Sequence, residues 1–175
     1  VFADDLRPVF VGCYTAQARV KQLHRELENH LFAAEKLLTA AAVQGLNAYP
    51  SAQLHEAEQD LLFAEFHDIL PGTTIQECEA DSIGVLQHGL TTVSRLQMKG
   101  AMALLAGQPK AVPEQTPVFL YNPHPYPITG NFVFELMPAD QNWSQVLRNA
   151  VTVTQNGTQI PSQEEKPAVN MNLDW

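Results

Sequence analysis

FAEFHDILPGTTIQ, residues 63–76, sets an imidazole and a carboxylate side by side between large apolar residues, then breaks at Pro71-Gly72. Proline removes a backbone donor and glycine tolerates conformations closed to other residues, so a helix stops there. Upstream, Leu54, Ala57, Leu61 and Ala64 share one helical face, and Ser51 after Tyr49-Pro50 suits an N-cap. This predicts a helix from about Ala52 to Ile69. On a wheel of that helix Asp68 falls on the bundle-facing side, while Leu62, Phe63, Phe66 and Ile69 occupy the opposite side. A helix end that is apolar nearly all round is buried on both sides. The bundle covers one side, so the other is expected to dock on material outside this chain.

Beyond the break, Thr73 or Thr74 can cap a third helix reaching about Ala106, with Ile75, Cys78, Leu86, Leu90, Val93 and Leu96 on one stripe. Before it, Val20, Leu23, Leu27, Leu31, Ala34, Leu38 and Ala41 recur at steps of three and four. They predict a first helix from Thr15 to about Gln44, closed by Gly45. Three amphipathic helices with short joins read as an antiparallel bundle over residues 1–107. Residues 108–117 form a proline-rich linker. From 118 to 175 the pattern turns to strands: PVFLYNP, NFVFELM with alternation around Phe132 and Phe134, and an Asn156-Gly157 hairpin signal. The expected fold class is therefore α+β and mainly α: a three-helix bundle followed by a few antiparallel strands, the opening of a β-sandwich.

The 175 residues include 19 acidic and 10 basic side chains, a net charge of -9 that argues against binding nucleic acid or an anionic membrane. No apolar run is long enough to span a bilayer. Cys13 and Cys78 make neither a disulfide framework nor a metal pair; they read as small buried hydrophobes in a reducing compartment, the cytoplasm. The chain opens without Met and stops at Leu173-Asp174-Trp175 in mid-phrase, so it reads as a piece of a longer protein.

Buried imidazole and carboxylate are costly unless paired or metal-bound. Two readings of His67 and Asp68 stand beside each other. In one, His67 complements a helix C-terminus, as a cation favoured there by the dipole. In the other, His67 supplies a neutral metal ligand and Asp68 a hydroxyl acceptor at a cleft between two bodies. His24, His30 and His55 have no ligand spacing and read as solvated or interfacial; His88 has no visible partner; His124 sits in a proline-rich turn.

FHDILPGTTIQE resembles the signature of glycoside hydrolase family 38, the class II α-mannosidases and their bacterial relatives. GCYTAQARVKQLHRELE, from Gly12 to Glu28, is similar to the stretch that opens the first helix of that family's middle domain, with Ala16 in place of its usual Ser or Thr. Tyr49-Pro50 and VFLYNPHPYPITG occur in the family's order. The resemblance implies that His67 is one of four ligands to a catalytic zinc and that Asp68 accepts hydrogen bonds from mannose hydroxyls. It places the other ligands and the nucleophile in an N-terminal α/β domain absent here. The general acid would lie near or before Asp4 and Asp5 and is not assigned. The implied protein is a retaining, metal-dependent α-mannosidase of terminal α-mannoside glycans, and this fragment alone is expected to be inactive. Two rivals from other classes are a non-catalytic, partner-binding bundle and a carbohydrate-binding module.

Overall fold

The computed structural model describes residues 10–136 and 151–164, so Asp4 and Asp5 lie outside the described residues. The chain divides into two compact units, one of residues 1–111 with 117–127 and one of residues 112–116 with 128–175.

The first unit is built on α1 (Ala18–Val43), α2 (Ser51–Ala64) and α3 (Gln76–Leu105), preceded by a 3₁₀ turn at Val11–Tyr14. Gly89 on α3 lies against Leu27 of α1 and Asp60 of α2, and Gly100 lies against Leu37 and Leu38 of α1. Positions thus rise together along α1 and α3, and α2 runs against both. The core is the seam of the three apolar stripes: Val20, Leu23, Leu27, Ala34 and Leu38; Leu54, Ala57, Leu61 and Ala64; Leu86, Val93 and Leu96. Fully burying one such leucine contributes about 1.5–3 kcal/mol over leaving it in water. No helix of the described residues is long and apolar enough to cross a membrane.

The helix ends differ from expectation, each for a local reason. α1 starts at Ala18, not Thr15, because Phe10 and Gln17 adopt left-handed backbone (φ 58° and 46°) and set the 3₁₀ turn apart. Ser51 is the first residue of α2 and makes no capping bond. Ile75, not a threonine, precedes α3. Ile75 and Cys78 are exposed and Cys13 is only half-buried, so neither cysteine is the buried hydrophobe expected. α2 ends at Ala64, not Ile69, and residues 65–74 make a separate turn.

Within the first unit, Asn122 accepts from the His124 N–H at 3.0 Å and donates to the Tyr126 carbonyl at 2.7 Å. The His124 ring stacks on Tyr126 and lies 5.6 Å from Phe32 of α1. In the second unit β1 (Thr154–Gln155) pairs antiparallel with β2 (Thr158–Gln159). Asn156 and Gly157 both have positive φ, 52° and 78°, the geometry of a type I′ hairpin turn. The strands expected in PVFLYNP and NFVFELM do not form over the described residues 117–123 and 131–136. A strand needs a partner for its backbone groups, and Val118, Phe119, Phe132 and Val133 remain exposed.

Candidate functional site

Residues 65–74 leave α2, make one compact turn and enter α3. The Ile69 and Leu70 N–H groups donate to the Phe66 carbonyl (2.9 and 3.2 Å); those of Gly72 and Thr73 donate to Ile69 and Asp68 (3.0 and 3.2 Å). Ile69 anchors the turn, 7% exposed in the core. That burial corrects the helical wheel, which put Ile69 on the outer side and Asp68 on the bundle side. The break after Ala64 re-aims both. His67 and Asp68 point outward, with side chains 77% and 57% exposed and His67 Nε2 3.6 Å from Asp68 Oδ2. The Thr73 hydroxyl donates to Asp68 Oδ1 at 3.2 Å. The rings of Phe66 and His67 lie 4.2 Å apart, centre to centre. Leu62, Phe63 and Phe66 are left uncovered by the bundle, as their outward face predicts.

The turn is tied to the start of α1 at three places. Glu65 Oε1 lies 3.0 Å from Nε2 of His24. Gly72 packs so tightly on Ala16 that a Cβ there would sit 2.9 Å from the Ala16 Cβ and 3.1 Å from its backbone. The Gln17 amide Nε2 donates to the Thr74 carbonyl at 3.0 Å. Lys21 Nζ in turn donates to the Ala16 carbonyl at 2.6 Å, closing the gap between the 3₁₀ turn and α1. The two stretches that carry the resemblance, Gly12 to Glu28 and Phe63 to Gln76, therefore meet in space.

A family profile described as the alpha mannosidase middle domain matches residues 9–104. The chain belongs to this family, the middle domain of glycoside hydrolase family 38. Among curated proteins it is similar to alpha-mannosidase 2C1 of Homo sapiens, 34% identical over 103 residues, and of Mus musculus, 33% identical over 99 residues; each match covers 56% of this chain and 10% of the relative. Alpha-mannosidase G of Dictyostelium discoideum is 37% identical over 79 residues, 45% of this chain and 7% of that protein. The chain thus spans about a tenth of the length of the curated relatives it matches. No solved structure matches.

The middle-domain turn can offer a metal one imidazole. Among the described residues no group of three or more His, Cys, Asp or Glu side chains could hold a metal ion. An exposed imidazole suits a site completed from another domain, because either ring nitrogen can ligate while the other is held by an acceptor.

Three of the remaining histidines, His24, His30 and His88, join elements of the bundle, while His55 is solvated and lies 3.4 Å from Glu58 on its own helix. His24 is interfacial and not solvated: it is 8% exposed and its partner is Glu65. His30 Nδ1 lies 2.8 Å from the Gln97 side-chain oxygen, and the Gln97 amide donates back to the His30 carbonyl, joining α1 to α3. His88 does have a partner, Asp60 Oδ2 at 2.7 Å from Nδ1, with Glu56 3.9 Å from Nε2. The hydrogen bond to Asp60, followed by that carboxylate's charge, raises the His88 pKa above its ordinary value. Spacing alone passes over His24, although a polar residue beside Val20, Leu23 and Leu27 on the apolar stripe is itself a signal that a partner is present.

Proposed function

We propose that this chain is the helical middle domain of a metal-dependent, retaining α-mannosidase that removes terminal α-mannosides in the cytoplasm. The observation that carries the reading is the outward presentation of His67 and Asp68 on a turn fixed to α1. His67 offers one ring nitrogen to a zinc ion whose other ligands come from an N-terminal domain. When bound, zinc supplies an electrophile that orients substrate oxygens and stabilises developing charge. Asp68 accepts hydrogen bonds from sugar hydroxyls and fixes the ring's orientation. Its own position is set by Thr73, which holds one carboxylate oxygen. The uncovered side chains of Leu62, Phe63 and Phe66 give the adjoining domain an apolar seat that excludes water from the cleft. A retaining mechanism uses two carboxylates about 5–5.5 Å apart; the nucleophile comes from the N-terminal domain, and the general acid, near or before Asp4 and Asp5, is not assigned. The two free cysteines, one of them exposed, suit a reducing setting.

The test is turnover of an α-mannoside by the full-length protein. Replacing His67 with Ala should lower kcat/KM about 100-fold or more, beyond the usual loss for an outer-shell partner of a metal ligand. Asp68→Asn should cost about 10–100-fold, the worth of a hydrogen bond to a charged acceptor. Unchanged turnover with His67→Ala would favour a non-catalytic, partner-binding bundle instead. Residues 1–175 alone should show no turnover.

A further inference from the structure

We propose that His24 and Gln17 are positioning residues, which hold the two ends of the Glu65–Thr74 turn so that His67 and Asp68 face outward in a fixed direction before metal or sugar arrives. The inference rests on the reading of His67 as a metal ligand. Its ground is where α1 departs from ordinary helix design. His24 occupies a core position on the apolar stripe, where a leucine would pack without any need for a partner. The chain keeps an imidazole there, bonded to Glu65, two residues before His67.

Gln17 departs from the local rules twice. It holds left-handed backbone at φ 46° without being glycine, and its Oε1 is buried with no hydrogen-bond partner. Both features are unfavourable and persist only where the surroundings impose them. They accompany the bond from Nε2 to the Thr74 carbonyl at the far end of the turn. Between these two tethers, Ile69 is buried and Gly72 rests on Ala16, while the two side chains of interest stand open. Rigid ends with an exposed middle describe a ligand that is preorganised, which lowers the ordering cost when it binds. A residue needed only for bundle stability has no reason to be polar at position 24.

The experiment uses the full-length protein stripped of metal, with Zn²⁺ as the probe. His24→Leu removes the tether and keeps the core filled. The expected result is a thermal midpoint at or above wild type, faster amide exchange at Ile69, Leu70, Gly72 and Thr73, and Zn²⁺ affinity lowered about 10-fold or more, the scale of outer-shell losses. Glu65→Gln, which keeps an oxygen acceptor for the imidazole, should retain near-normal exchange and affinity. Should His24→Leu fail to fold, Gln17→Ala reads the other tether with the same two measurements. Unchanged turn exchange and Zn²⁺ affinity in the folded variant would overturn the inference. His67→Ala in the same titration separates the two claims. If it binds Zn²⁺ like wild type, the ligand reading fails. If it loses affinity while His24→Leu does not, only the positioning role fails.

Discussion

The turn after α1 and the turn after α2 close with the same backbone motif in different surroundings. At the first, the Gly45 and Leu46 N–H groups donate to Ala42 and Ala41, and Gly45 has φ 70°. At the second, the Gly72 and Thr73 N–H groups donate to Ile69 and Asp68, and Gly72 has φ 83°. Both are Schellman closures, in which a left-handed residue lets two N–H groups reach back to free carbonyls. A Cβ at position 45 would meet nothing within 4 Å, whereas one at position 72 would strike Ala16. Glycine at 45 is needed for its torsion alone. At 72 it is needed for torsion and for the close approach that places the His67 turn against α1. The motif ends a helix in one place and fixes the His67 turn to α1 in the other.

Substitutions can break that comparison. Gly72→Ala combines left-handed strain with overpacking against backbone and should cost about 2–5 kcal/mol. Gly45→Ala carries only the strain and should cost about 1–2 kcal/mol, with Asn recovering part of it. Denaturant unfolding of the full-length protein reads both. Equal losses would mean that the packing on Ala16 is not a constraint.

The smallest effect lies away from both turns, at the His88–Asp60 pair between α3 and α2. The His88 pKa is raised, first by the hydrogen bond to Asp60. The pair's contribution is therefore complete below the ordinary histidine value of about 6.5 and fades as pH rises through the higher folded value. Stability should decline slightly as pH rises from about 6 to about 8, and His88→Ala should flatten that slope. The ring is half exposed, so solvent screening keeps the effect small.

The helices were legible in the sequence because their stripes repeat over several turns. The family was legible because the string around His67 and Asp68 is specific. What periodicity could not give was the orientation of that pair. A wheel assumes an unbroken helix, and the chain leaves helical geometry at Glu65, so Ile69 turned inward and Asp68 outward. Nor did local pattern show the tethers. Glu65 meets His24 across 41 positions and Thr74 meets Gln17 across 57, separations that only the packed bundle brings together. The Asn156-Gly157 hairpin was legible because its turn chemistry is complete within a few residues. The strands expected around Phe119 and Phe132 needed partners that no local pattern could guarantee.

The most direct test is the position of the metal in crystals of the full-length protein, located by anomalous scattering at the zinc edge. A peak is expected about 2.0–2.1 Å from a ring nitrogen of His67, with Asp68 beside it and not bonded to it. A fully occupied zinc elsewhere, with the His67 ring bound to nothing but solvent, would contradict the reading of His67 as a ligand.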